Sequence, residues 1–218
     1  MSRKCLWSIL IAAIPERYHL MQPLLFSLLE TQHVSRMSDV ELVVFLDNKR
    51  RSVGEKRNAL LDIANGEYIS MIDDDDEVSP DYVRRVHDSL QQAKRTGKMP
   101  DVVCFGQRAT LVQQGITHEC TYSLACWRDR KPEERRQLAP AYDEKGATLP
   151  NVLLWTGPPS HTMAWRRDVI GDARFPETQF GEDVAWVDAV CERAKGEMQL
   201  GGAPLYFYKF DSERSATR

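Results

Sequence analysis

The sequence predicts an α/β fold: a mainly parallel, doubly wound sheet with a short antiparallel part in its second half. Three observations lead there. Nearly continuous apolar runs of strand length alternate with helix-period segments as far as residue 106. The connections between them are short. From residue 107 the alternation gives way to polar turns, the charged run Arg128-Asp129-Arg130-Lys131-Pro132, and prolines at Pro150, Pro158 and Pro159.

Each element follows in order. Residues 5–14 read as the first strand, apolar almost throughout as a strand covered on both faces should be, and Pro15-Glu16-Arg17 ends it. Leu20, Met21, Leu24, Leu25, Leu28 and Leu29 then recur at three-and-four spacing. In that helix Pro23 must occupy the first turn or make a kink. Residues 41–46 form a second strand ending at Asp47-Asn48, and residues 54–64 a helix with Gly66 as its stop. Residues 68–72 are the third strand. The third helix spans 80–93, opened by Ser79 as N-cap, Pro80 in the first turn and Asp81 against the helix dipole. Residues 101–105 are the fourth strand, and 107–160 read as short antiparallel strands with a mobile loop region. A helix over 182–194 buries Val184, Val187, Cys191 and Ala194, and a last strand covers 205–210. With no internal repeat and no low-complexity linker, the expectation is a single domain over 1–218, with halves at 1–106 and 107–218.

Composition excludes several classes. Of 218 residues, 42% are apolar and 28% charged, ordinary for a globular protein, and the net charge of −3 offers no general basic excess to nucleic acid or an anionic membrane. Local basic patches remain, at Lys49-Arg50-Arg51 and between Arg128 and Arg136. Cys5, Cys104, Cys120, Cys126 and Cys191 show no CxxC spacing, which fits free thiols in a reducing cytoplasm better than a disulfide scaffold or a zinc site. The apolar start of the chain has the length of a signal-peptide core but reads equally as a buried strand, and no stretch approaches a membrane span. The expected location is cytoplasmic.

The chemistry concentrates where the third strand runs into Asp73-Asp74-Asp75-Asp76. Alternation along an extended segment would send Asp73 and Asp75 one way and Asp74 and Asp76 the other. Carboxylates that converge at a strand end repel and resist ionising unless a cation sits between them. Mg²⁺ and Mn²⁺ favour oxygen ligands and share their shells with phosphate oxygens. An EF-hand is excluded, because the sixth and twelfth positions from Asp73 are Val78 and Arg84 rather than Gly and Glu. The acidic turn also sits between a strand and a helix, at the edge where open α/β sheets bind ligands. The alternative is a solvated acidic turn that merely ends a strand.

Taken together, these residues resemble the family 2 glycosyltransferases of the GT-A fold. The resemblance rests on Ile14-Pro15-Glu16-Arg17, Asp47, Lys56-Arg57-Asn58, the run from Ala64 to Ile69, Asp73 to Asp76 and Pro80, then Gly181-Glu182-Asp183-Val184-Ala185-Trp186, in family order over nearly the whole chain. It implies a metal-dependent inverting glycosyltransferase that moves a sugar from a nucleotide-diphosphate sugar, a UDP-sugar by preference, to an acceptor hydroxyl. Residues 1–106 would then be the nucleotide-sugar-binding half and 107–218 the acceptor-binding half. The resemblance places Asp75, helped by Asp73, on Mn²⁺ or Mg²⁺. Pro15, Arg17, Asp47, Arg57, Asp73 and Asp74 would hold the nucleotide sugar, with Asp47 at the uracil edge. Asp183 would be the general base, and Glu182, Trp186 and His161 would lie on the acceptor side. The chain departs from the family at its tail, where Asp211 stands in place of a histidine.

Other readings compete. A sugar-phosphate nucleotidyltransferase needs a glycine-rich basic loop after the first strand, and Ile11-Ala12-Ala13-Ile14-Pro15 has no glycine. A non-catalytic sugar- or nucleotide-binding module could share the fold. Helix-dipole complementation alone would account for Glu182-Asp183. The acceptor is read as a glycan or another soluble hydroxyl, with a hydroxymethylated DNA base as an alternative. Trp127 among the basic groups up to Arg136 suits stacked bases and phosphates, although Asp129, Glu133 and Glu134 equally make a salt-bridged loop.

Overall fold

A computed structural model describes residues 5–129, 137–138, 141–142, 148–149, 152–178 and 180–210. In chain order the elements are β1 (Trp7–Ala13), α1 (Tyr18–Phe26), β2 (Val40–Leu46), α2 (Val53–Ile63), β3 (Tyr68–Asp73), β4 (Glu77–Val78), α3 (Tyr82–Thr96) and β5 (Val102–Phe105). There follow β6 (Gln107–Leu111), β7 (Ile116–Tyr122), α4 (Leu124–Asp129), β8 (Gln137–Leu138), β9 (Ala141–Tyr142), β10 (Thr148–Leu149) and β11 (Val152–Gly157). The chain ends with β12 (Ala164–Arg166), α5 (Arg167–Ile170), α6 (Glu182–Cys191), β13 (Glu197–Leu200) and β14 (Tyr206–Phe210).

The main sheet has the order β13-β5-β12-β3-β1-β2, and β12 alone runs against its neighbours. Its central strands are apolar on both faces because both faces are covered. Trp7, Ile9, Leu10 and Ile11 of β1 are buried, as are Tyr68, Ile69, Met71 and Ile72 of β3. Burying each such large side chain is worth about 1.5–3 kcal/mol. Helix α3 turns Tyr82, Val83, Val86 and Leu90 onto the sheet, and Tyr82 stands between the rings of Trp7 and Phe105.

The second half departs from expectation. Residues 107–157 do not form a minor antiparallel appendix; they supply β6, β7, β8 and β11 of a second six-stranded sheet ordered β4-β14-β6-β7-β11-β8. Two of its pairings are parallel, β14 with β6 and β11 with β7. One continuous core runs under both sheets, from Leu6 and Val102 through Cys120 and Tyr122 to Leu205 and Tyr206.

Smaller corrections have local causes. Of the two alternatives for Pro23, the first turn is ruled out, since it sits inside α1, and Ser27–Thr31 beyond it winds as a wider π turn. Gly66 is not a helix stop, since α2 already ends at Ile63 and Ala64 is extended. It is a close approach instead: a Cβ there would lie 2.5 Å from the Ser8 amide nitrogen. Helix α3 begins at Tyr82, after a turn in which Ser79 Oγ accepts the Asp81 N–H. On α6 the buried face is Trp186, Val187, Val190 and Cys191, with Ala194 beyond, whereas Val184 is 62% exposed.

Candidate active site

Because β1, β2 and β3 are parallel neighbours, their carboxyl ends emerge along one edge. Pro15–Arg17 follows β1 as a single 3₁₀ turn, Asp47 follows β2, and Asp73 closes β3. The strand stops at Asp73 and the chain turns at once, with the Asp76 N–H bonded to the Asp73 carbonyl at 3.2 Å. The expected alternation therefore fails after Asp73. Asp74 and Asp75 fall to the same side, each 3.0 Å from Arg17 Nη1.

The four aspartates occupy four environments. Asp73 Oδ1 accepts Arg57 Nη2 at 2.7 Å, and Oδ2 lies 3.5 Å from His161 Nε2. Burial alone would raise its pKa, but Arg57 and His161 outweigh burial and hold it far below the usual range. Asp74 is buried; it accepts the Ile14 N–H at 3.0 Å, and burial still pushes its pKa up. Asp75 has a quarter of its side chain exposed and is pushed up to about 6, by burial first and then by Asp73 and Asp74, against Arg17. Asp76 is buried under Tyr206, whose O–H donates to it at 2.6 Å, and its pKa is raised well above normal by burial and by Asp73.

Helix α2 supplies the cations. Its N-terminus is fixed by a capping box, in which Ser52 Oγ accepts the Glu55 N–H and Glu55 Oε2 accepts the Ser52 N–H. The next turn carries Lys56, Arg57 and Asn58. Lys56 is buried, donates to the Ala13 carbonyl at 3.3 Å and lies 3.6 Å from Asp47, so it joins the ends of β1 and β2. Asp47 also accepts the Lys49 and Arg51 N–H groups, which shapes the loop after β2. Asn58 makes paired bonds to the Phe175 backbone.

Arg57 is the hub. Its side chain is only 5% exposed, and it reaches Glu182 Oε1 at 2.5 Å, Asp73 Oδ1 at 2.7 Å and His161 Nε2 at 3.1 Å, with its guanidinium over the Phe175 ring. In this structure the guanidinium of Arg57, expected at the nucleotide sugar, is engaged by protein partners inside the fold. His161, buried in the loop before β12, faces Asp73 through Nε2 and Asp183 Oδ2 through Nδ1 at 3.7 Å. Glu182 and Asp183 open α6, and Asp183 is the more accessible, with 39% of its side chain exposed. Burial raises Glu182 against the pull of Arg57.

The structure thus brings Pro15, Arg17, Asp47, Arg57, Asp73, Asp74, Asp75, His161, Glu182 and Asp183 to one edge. Trp186 is the exception. It is 1% exposed, stacked on Phe175 at 4.6 Å and edge-on to Trp165, so it is a core ring and not an acceptor-side wall. Trp127 donates to Asp188 and Arg128 to the carbonyls of Ala194 and Lys195, which ties that segment to α6 instead of presenting it for stacking. Residues 130–136 and Asp211 lie outside the described residues. Lys56 and Tyr206 went unforeseen. Lys56 stands in the same three-residue motif as Arg57, while nothing local marks Tyr206.

The chain matches the model of glycosyl transferase family 2 over residues 30–155, more than half its length. It belongs to glycosyl transferase family 2. The match takes in Asp47, Lys56, Arg57 and all four aspartates of this family 2 chain, and stops short of His161, Glu182 and Asp183. No curated protein sequence matches it. Among solved structures, S. aureus TarS 1–349 superposes with a TM-score of 0.56 at 16% identity, covering 94% of this chain and 60% of that one. The same fragment in complex with UDP-GlcNAc gives 0.56 at 15% identity, covering 95% and 59%, and in complex with UDP 0.54 at 14%, covering 95% and 61%. At these identities the likeness shows the fold, and the chain spans about 60% of the TarS fragment's length.

Among the described residues no three His, Cys, Asp or Glu side chains converge as a complete metal cage. Mg²⁺ and Mn²⁺ are commonly held by one or two carboxylates with phosphate oxygens filling the shell. Asp75 fits as such a donor: partly exposed, oxygen-bearing, and resisting its own charge beside two further carboxylates.

Proposed function

We propose that this glycosyltransferase is metal-dependent and inverting, with a nucleotide-diphosphate sugar, a UDP-sugar by preference, as donor. The observation that carries the reading is Asp75, raised to about 6 at the carboxyl end of a parallel sheet, with an accessible Asp183 joined to the same turn through His161. The UDP-GlcNAc and UDP complexes of the TarS fragment, alike in fold, support the choice of donor class.

Asp75, with Asp73 beside it, would hold Mn²⁺ or Mg²⁺, whose charge would stabilise the diphosphate as it leaves. Arg17, shared between Asp74 and Asp75, would keep their charges from repelling and lie next to the phosphates. Asp183 takes the proton of an acceptor hydroxyl as that oxygen bonds to the anomeric carbon and the bond to the diphosphate oxygen breaks. Attack from the face opposite the leaving group inverts the anomeric configuration, and needs no second carboxylate as nucleophile. His161, 3.7 Å from Asp183 Oδ2, would help to orient that carboxylate.

The acceptor is proposed to be a glycan or another soluble hydroxyl. A hydroxymethylated DNA base is less favoured, since Trp127 is bonded to Asp188. All five cysteines are free, which supports a reducing, cytoplasmic setting. No described helix is long and apolar enough to cross a membrane.

The test is a thermal-shift panel of nucleoside diphosphates and nucleotide sugars with Mn²⁺, Mg²⁺ or chelator. One nucleotide should stabilise the protein only with metal, and Asp75→Asn should abolish that shift. Absence of any metal-linked shift would remove the donor site and leave a binding module.

A further inference from the structure

We propose that the Tyr206 hydroxyl is a positioning group for the acidic turn, fixing where the chain presents Asp75. The inference rests on the reading of Asp75 as a metal-binding carboxylate. Tyr206 opens β14, more than a hundred residues from the turn, and is fully buried. Its oxygen accepts the Asp73 N–H at 3.1 Å and its O–H donates to Asp76 Oδ2 at 2.6 Å. A buried phenol needs one partner. This one has two, and they are the two ends of the same four-residue turn.

The strand carrying Tyr206 is stitched along the turn and beyond it. Tyr206 pairs with Val78 and Phe207 with Glu77 in antiparallel register. The Ser79 N–H donates to the Leu205 carbonyl at 2.9 Å, and the Lys209 N–H approaches Asp76 Oδ1 at 3.4 Å. Asp74 is tied separately, to the Ile14 N–H and Arg17. With both ends and one inner residue held, the place of Asp75 follows from chain geometry. The phenol at Tyr122 makes a useful contrast: it is buried in the same sheet, but its hydroxyl donates to Gln107 Oε1 at 2.9 Å and neighbours Cys120, and it does not bridge the ends of the turn.

Groups that orient a metal-binding carboxylate from behind typically change metal affinity by about 10–100-fold when removed. Tyr206→Phe deletes one oxygen and leaves the ring in the core. UDP, GDP, CDP and dTDP would be titrated calorimetrically into wild type with MnCl₂ and again with EDTA. The best of them would then be used on Tyr206→Phe and on Tyr122→Phe. The expected result is about a 10-fold loss of the manganese-dependent affinity in Tyr206→Phe, an unchanged metal-free affinity, and neither effect in Tyr122→Phe. Equal manganese-dependent affinity in Tyr206→Phe and wild type overturns the inference while leaving the donor reading standing. So does an equal loss with and without metal, which would mark Tyr206 as merely structural. Wild type that binds none of the four nucleotides more tightly with manganese overturns the donor reading and this inference together. If Tyr206→Phe fails to fold, Asp76→Ala, which removes the acceptor of the Tyr206 hydroxyl, replaces it, with the same expected loss and the same overturning results.

Discussion

Asp75 carries a charge it resists, because burial disfavours the carboxylate and, with repulsion from Asp73 and Asp74, outweighs the attraction of Arg17. Its folded pKa of about 6 lies above the ordinary carboxylate value, so the folded chain binds more protons than the unfolded one between about pH 4 and 6. The stability linked to this group is therefore full below about pH 4 and is lost as pH rises through 6. In EDTA at pH 7.5, Asp75→Asn should be more stable than wild type by about 1–2 kcal/mol, and at pH 4 by nearly nothing. Urea melts at the two pH values check both sign and window; a variant less stable than wild type at pH 7.5 refutes it. At this scale the motif residues are visible in the sequence because spacing within one strand and turn is local. Their individual surroundings are not, since Arg17, Tyr206 and His161 arrive from distant segments. That is why the expected alternation of the four side chains breaks after Asp73.

Helix α2 shows how an element can overrule propensity. Gly54 lies in its first turn, where Gly→Ala would ordinarily stabilise a helix by about 1 kcal/mol. Here a Cβ would sit 1.9 Å from the Pro176 carbonyl oxygen, a backbone atom that cannot swing away. Gly54→Ala should therefore destabilise the fold by about 2–3 kcal/mol, as overpacking does, read as a lower urea midpoint. A stabilised Gly54→Ala would mean that α2 and the 175–177 segment are not in this contact. Four main-sheet strands, β1, β2, β3 and β5, and the helices between them were legible from pattern, because continuous apolar runs and short connections signal parallel βαβ units, whereas the short β12 and β13 were not. The second sheet was not, apart from its strand β14. Its parallel pairings join β14 to β6 and β11 to β7, contacts that leave no local period in either partner.

Across the whole molecule, one buried guanidinium joins the aspartate turn of the first half to the helix that opens with Glu182 and Asp183 in the second. Arg57 does this because its planar fork reaches Glu182, Asp73 and His161 at once. A lysine keeps the charge but ends in a single ammonium on a flexible stem and cannot reproduce that span. Arg57→Lys should therefore leave the acidic turn able to take its ligand while loosening α6, and Asp183 with it, from its place opposite Asp73. Misplacing a reacting group by about 1 Å can cost on the order of 100-fold in rate. The expected outcome is a manganese-dependent UDP affinity within about 3-fold of wild type, and a fall on the order of 100-fold in the slow hydrolysis of a UDP-sugar, with water as acceptor. Calorimetry gives the first quantity and release of UDP the second. Were Arg57 instead a phosphate contact, UDP affinity would drop by far more than 3-fold and account for the lost turnover. A result of that kind would mean the hub opens when donor binds, and that the two halves are held in register by the nucleotide rather than by the folded chain alone.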